Sequence, residues 1–150
     1  MVKQLDDNSL PPLIDHVGVR LWRMARQWKV EFDAAMAERG HGWMAEARGA
    51  VAGQLRPGGM SQSALPAALG ISKQAVQQLV DELVAEGIVE RVPDPRDGRG
   101  KIVQLLPKGI KAIADGNLVK QQIEARYRAR IGAERLAALN AALDALTEVE

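Results

Sequence analysis

Around residues 72–101 the chain sets polar side chains at short, regular spacing. Lys73, Gln74, Gln77 and Gln78 fall one and three residues apart, which on a helix puts them along one flank. Arg96 and Arg99 lie in the run PDPRDGRG, each preceded two residues earlier by an acid, Asp94 or Asp97. These types suit the edges and backbone of a nucleic-acid duplex. Gln can pair bidentately with adenine in a major groove, and Lys reaches guanine or phosphate. Arg at a loop tip suits a minor groove, whose negative potential is enhanced over A·T tracts. Asp94 and Asp97 are spaced to brace the two arginines. Lys101 adds a cation after the loop, and Ser61, Ser63 and Ser72 are hydroxyls able to meet phosphates. The plain alternatives are a solvated helix face and a loop whose ion pairs contribute about 0–1 kcal/mol.

The elements that must hold these residues follow from hydrophobic spacing. Val76, Leu79, Val80 and Leu83 recur at i, i+3, i+4 and i+7, one apolar face of a helix. Ser72 is a good N-cap for it, and Gly87 can take the left-handed conformation at its end. Leu65 and Leu69 predict a shorter helix upstream, and Gly70 allows a sharp turn between the two. Pro66 fits that first helix if Ser63 is its N-cap, because the missing N–H then falls in the first turn. Residues 88–92 and 101–106, rich in Val, Ile and Leu, predict a β-ribbon. The eight residues between them predict a long loop closed at Asp97-Gly98, with Pro93 and Pro95 outside the ladder. Helix, tight turn, helix and ribbon in that order make a winged helix-turn-helix.

The motifs resemble a known family. Ser61-Gln62-Ser63-Ala64-Leu65, then Leu69-Gly70-Ile71-Ser72, then Leu79-Val80 and Leu83 followed by Glu86-Gly87-Ile88-Val89-Glu90-Arg91, then Asp94-Pro95-Arg96-Asp97-Gly98-Arg99 closely resemble the MarR family of bacterial transcription regulators. The Asp-x-Arg-Asp-x-Arg wing is the most specific part. Element order agrees along the whole chain, and the strong motifs cover about its middle third. Pro66 inside the first motif helix and the segment Gly40-His41-Gly42-Trp43 depart from the family pattern. The resemblance implies a helical dimerisation region built from both chain ends, a palindromic operator, and frequent release by a small ligand or oxidant.

The ends carry the apolar surface such a region needs. Ile14, Val17, Leu21, Met24, Trp28 and Phe32 recur every three or four residues. A helix over residues 13–39 would be about 40 Å long, too long to bury on so small a domain, with Gly40 as its stop. Ile110, Ile113, Leu118, Ile123, Tyr127 and Ile131 mark a second helix, and Leu136, Leu139, Leu143 and Leu146 a third, with Gly132 between them. A two-fold dimer in which both ends interdigitate matches a palindromic site; an intramolecular bundle is the simpler alternative. The expected fold is therefore mainly α with a small β-wing. It forms a single domain over 1–150, with a winged helix-turn-helix lobe at 43–106 and dimerisation helices at 11–40 and 108–150.

Composition bounds the function classes. The 150 residues suit one domain able to bury roughly two-thirds of its unfolded surface. Net charge is only +1, but residues 91–111 hold six positive side chains against two negative, whereas the helix ending at Gly87 sets Lys73 against Asp81, Glu82 and Glu86. The basic footprint thus sits at the wing. Arg20, Arg23 and Arg26 read as a solvated stripe, as do Arg126, Arg128 and Arg130. The chain has no Cys, which excludes thiol sensing and fits a cytoplasmic setting. No apolar run long enough to span a membrane and no secretion signal over the first residues is seen. His16 and His41 are the two histidines, and no HExxH, phosphate-loop or nucleophile-elbow pattern occurs, so no enzyme, cofactor or metal is expected. A small aromatic or amphipathic effector would meet Trp22, Trp28, Trp43, Met44 and Arg48, with Arg48 as carboxylate partner. Double-stranded DNA and a second copy of the chain are the expected partners. The alternatives are a winged-helix module that binds protein, or an enzyme or carrier using an interior pocket.

Overall fold

The computed structural model describes residues 11–147. The outer bounds of the expected domain and the reading of residues 1–10 as no secretion signal lie outside the described residues. In chain order the elements are α1 (Val17–Glu38), a 3₁₀ turn (Gly42–Ala45), α2 (Ala47–Gln54), β1 (Met60–Ser61), a second 3₁₀ turn (Gln62–Ala64), α3 (Leu65–Leu69), α4 (Lys73–Ala85), β2 (Val89–Asp94), β3 (Asp97–Leu105), α5 (Pro107–Ile131) and α6 (Ala133–Thr147).

Helix α4 is closed at both ends by its own sequence. Ser72 Oγ accepts the Ala75 N–H at 3.1 Å. At the other end Gly87 takes φ 69°. Its N–H donates to Val84 O at 3.0 Å and the Ile88 N–H to Leu83 O at 2.9 Å, a Schellman closure. Ile88 and Leu83, the apolar pair of that motif, are both fully buried. Between α3 and α4, Gly70 at φ 67° lets the N–H groups of Gly70 and Ile71 share the Pro66 carbonyl at 2.9 and 3.2 Å. Pro66 lies in the first turn of α3, but the N-cap there is Ala64 and no side chain caps it. Ser63 is not that cap. The 3₁₀ turn carries the chain into α3, and Ser63 Oγ pairs with Ser61 Oγ at 2.8 Å.

The sheet is antiparallel, in the order β1-β3-β2, with Met60 opposite Val103 and Val89 opposite Leu105. The ribbon is longer than its apolar residues suggest. Pairing runs on to Asp94 opposite Asp97, across an irregularity at Pro93/Asp94. The tip is therefore Pro95 and Arg96 alone, not an eight-residue loop. Pro93 can pair with Lys101 because β2 is an edge strand, where proline is tolerated. Strand β1, two residues long, escapes any periodicity argument.

Two apolar clusters organise the chain. Trp43, Val51, Ala52, Leu55, Leu65, Val76, Val80, Leu83, Ile88, Val89, Val103 and Ala112 fill the winged lobe. Full burial of a Leu, Ile or Val contributes about 1.5–3 kcal/mol each. Met36, Val119 and Ile123 form a second cluster between α1 and α5, joined by Trp28, Phe32 and Tyr127. Met44 packs against both, and α5 runs from one to the other through Ala112 and Val119. Helix α1 begins at Val17 rather than residue 13, so it is about 33 Å long. Ile14, Val17 and Trp22 at the chain start stay exposed, as do Ile110 and Leu118 on α5 and Leu146 on α6.

The junction of the two clusters holds a polar contact. His41, only 5% exposed, donates from Nε2 to Asp115 Oδ2 at 2.7 Å, and Lys111 Nζ donates to the same oxygen at 2.7 Å. His41 is thus a buried hydrogen-bonding residue. Lys111 first, and His41 second, hold the Asp115 carboxyl below its usual range, against the opposing effect of burial. A depressed folded pKa stabilises above the unfolded value, about 3.9, and that contribution is lost as pH falls through the lower folded value. Wild type should therefore melt above Asp115→Asn at neutral pH, and the gap should close below about pH 4. A gap independent of pH, in thermal melts from pH 7 down to 3, would contradict this.

Candidate nucleic-acid interface

The buried face of α4 fixes what the helix presents outward. With Val76, Val80 and Leu83 pointing into the core, Gln74 and Gln78 lie opposite them and are exposed. Gln78 Nε2 makes one weak contact, to Glu82 Oε1 at 3.4 Å. Gln77 is also exposed but turns toward β2 and is already engaged. Its Oε1 accepts from Gln62 Nε2 at 2.6 Å, and its Nε2 donates to Asp81 at 3.2 Å. Gln62 Oε1 accepts from Arg91 Nε at 2.7 Å, and Arg91 Nη2 lies 2.7 Å from Asp81 Oδ1. Neither Gln62 nor Arg91 is singled out by sequence. Arg91 enters there as a charge and as the end of the motif that begins at Glu86, with no partner assigned, although strand alternation from buried Val89 places it on the same face, toward α4.

A cleft of about 270 Å³ opens between the start of α4 and the wing. It is lined by Gln62, Ser63, Lys73, Asp97, Arg99 and Lys101, among others. Three predicted cations and one predicted hydroxyl therefore converge. Among the described residues no carboxylate lies within ion-pair distance of Lys73, Arg96, Arg99 or Lys101. Arg96 stands apart at the wing tip, exposed. Ser72 is spent on the cap and Ser61 on Ser63.

Asp94 and Asp97 brace the wing by another route than the expected one. Asp94 Oδ1 accepts the Arg96 backbone N–H at 2.8 Å, and Asp97 Oδ1 accepts that of Arg99 at 3.1 Å. They fold the backbone as Asx turns and leave both guanidinium groups unpaired.

The expected effector residues do not form one site. Trp22 is exposed on α1, and Trp28 stacks on Phe32 with centroids 5.1 Å apart. Trp43 is buried in the winged lobe, with Met44 beside it bridging the clusters. Arg48 is held by Glu46 at 2.9 Å and by a short contact to Glu86, whose carboxylate chiefly raises the guanidinium pKa. It cannot serve as a free carboxylate partner. A cavity of about 580 Å³ lies elsewhere, between residues 55–59, β3 and α5. Among the described residues no group of three or more His, Asp or Glu gathers to hold a metal, and no helix is long and apolar enough to cross a membrane.

A helix-turn-helix pair backed by a three-stranded antiparallel wing, flanked by long helices from both ends, defines a winged-helix protein. Residues 50–100, about a third of the chain, match the family model described as the MarR family. A candidate transcriptional regulatory protein for the hcr operon of Thauera aromatica is 32% identical over 56 residues, which is 37% of this chain. The match spans about a third (34%) of that relative's length. Wild-type MarR from E. coli in its apo form superimposes with a TM-score of 0.72 at 22% identity, over 91% of this chain and 100% of that one. A cysteine-to-serine variant of the same protein, complexed with operator DNA, gives 0.67 at 21% identity, over 88% of this chain and 94% of that one. At these identities the likeness is one of fold.

Proposed function

We propose that the chain is a cytoplasmic, homodimeric and sequence-specific regulator that binds double-stranded DNA, a repressor released from a palindromic operator by a small effector. The observation that carries this reading is the cleft in which Lys73, Arg99 and Lys101 meet, none of them within ion-pair reach of a carboxylate among the described residues. Unpaired cations beside an exposed helix flank are what a phosphate backbone requires. The solved relative that holds operator DNA has the same fold. Residues 43–106 serve as the DNA-binding lobe. Gln74 and Gln78 read base edges, Lys73, Arg99, Lys101 and Ser63 meet phosphate, and Arg96 enters the flanking minor groove.

Residues 11–40 and 108–150 serve as the dimerisation region. Val17, Trp22, Val30, Leu118 and Leu146 leave more apolar surface exposed at the chain ends than a monomer is expected to keep. Two copies would set their α4 helices in successive major grooves, with half-sites about 10 bp apart. For the effector, the reading moves to the 580 Å³ cavity, where Leu55, Leu105, Ile110 and Ile113 give an apolar wall and Arg56 and Asn117 the polar groups. An amphipathic acid fits that lining. Its site adjoins both β3 and α5, and it shifts the regulator only by its differential affinity for the two states.

The test is enrichment of duplexes from a random-sequence pool by the purified chain, with its mass by light scattering. A symmetric consensus with half-sites about 10 bp apart, and twice the 16.3 kDa chain mass, are expected. No enriched sequence at 50 mM salt would overturn the reading in favour of a protein-binding module.

A further inference from the structure

We propose that Arg91 is a positioning residue for DNA recognition, which closes the ring Arg91–Gln62–Gln77–Asp81 and cancels the Asp81 charge on the helix that meets DNA. The inference rests on the DNA-binding reading above and deepens it. The ring joins three elements. Gln62 comes from the 3₁₀ turn before α3, Gln77 and Asp81 from α4, and Arg91 from β2. Every link is a hydrogen bond or ion pair: Arg91 Nε to Gln62 at 2.7 Å, Gln62 Nε2 to Gln77 at 2.6 Å, Gln77 Nε2 to Asp81 at 3.2 Å, and Arg91 Nη2 to Asp81 at 2.7 Å. Arg91 also donates to the Gln77 carbonyl at 3.4 Å, which ties the backbone of α4 itself to the wing strand.

Two consequences follow from the chemistry. First, a base edge can use Gln77 bidentately only by displacing Gln62 or Asp81, because both ends of its carboxamide are engaged. Base reading then falls to Gln74 and Gln78, on the outermost line of α4. Second, Asp81 is the exposed acid beside those readers, its side chain 55% exposed against 22% for Arg91. A bare carboxylate there repels phosphate, and like charges brought together at an interface suppress binding. The guanidinium removes that repulsion, and its planar fork reaches Gln62 and Asp81 at once, which a lysine ammonium does not.

The experiment measures dissociation constants of the full chain on an enriched duplex and on a scrambled one, for wild type, Arg91→Met, Asp81→Asn and the double variant. Arg91→Met keeps the apolar stem and frees the carboxylate, and affinity should fall roughly tenfold on the scrambled duplex and further on the enriched one, so that preference drops as well. The double variant should recover most of the loss on the scrambled duplex, while its preference for the enriched duplex stays reduced because Gln77 is no longer held. A purely architectural Arg91 gives no such rescue. The proposal is overturned if Arg91→Met binds like wild type, or if the double variant binds no tighter than Arg91→Met. Should Arg91→Met lose its cooperative melt, Arg91→Lys replaces it. Non-specific affinity should then hold while preference drops, and unchanged preference overturns the ring. Wild type that prefers no duplex would instead sink the DNA-binding reading itself, and the proposal with it.

Discussion

Lys73→Ala combined with Arg99→Ala should lower affinity for an enriched duplex by about 100-fold or more. Two charge-assisted hydrogen bonds to phosphate are lost in each protomer, each worth about 1.5–3 kcal/mol. The two side chains line one cleft from opposite sides, Lys73 from the start of α4 and Arg99 from β3. Both are exposed and, among the described residues, neither has an acidic partner within ion-pair distance, so their removal leaves no stranded charge there and melting should be unchanged. The loss should be similar on scrambled DNA, because phosphate contacts carry no sequence information. The slope of log affinity against log salt should shrink by about 4 for the dimer, two contacts in each protomer. Gln78→Ala should behave in the opposite sense, with preference lost and the salt slope kept. If the double variant loses preference but keeps its salt slope, the cleft reads bases and the assignment of roles is inverted.

Gly109→Ala should be the most damaging single methyl in the chain's first α5 turn, with a loss of about 3 kcal/mol and roughly 6–12 °C in Tm. A Cβ there would stand 2.4 Å from the Ile88 carbonyl oxygen and 2.8 Å from Leu105 Cδ2. That carbonyl cannot swing away, because it accepts the Leu106 N–H at 2.9 Å and follows a fully buried Ile88 side chain. Helix α5 must then shift off the winged lobe and drag Ala112 with it. Gly53→Ala is the matched control. It lies in α2 with nothing within 4 Å of its Cβ position, and should be neutral or stabilising by about 0.5–1 kcal/mol. Equal melting of the two variants would mean that α5 does not seat against Ile88 as described.

Much of the lobe was legible because local and tertiary signals agree there. In α4 the cap at Ser72, the period of Val76, Val80 and Leu83, and the glycine at 87 all specify one helix, and the structure keeps each of them. The wing was less legible. Proline is excluded from a ladder only in inner strands, and no residue of β2 announces that it lies at an edge, so Pro93 made the loop look longer than it is. Asp94 and Asp97 bond backbone N–H groups rather than guanidinium groups, and sequence does not separate the two because an Asx turn and an ion pair use the same two-residue spacing. The expected effector residues are dispersed for a different reason. Tryptophans are large enough to build cores, and Trp43 and Trp28 went to two different ones. The partners of Arg91 were not legible, because Asp81, Gln77 and Gln62 lie on other elements, 10, 14 and 29 residues away in sequence.

The most direct test of the account is fluorescence anisotropy of the purified chain on an enriched duplex and its scrambled counterpart, from 50 to 200 mM salt. The account predicts a preference for the enriched duplex at every salt and a fall in affinity of about 10³–10⁵-fold across the range, as expected for 6–10 phosphate contacts per dimer. Equal, salt-insensitive binding of the two duplexes would contradict it, because a cleft of unpaired Lys and Arg that meets phosphate cannot be indifferent to salt.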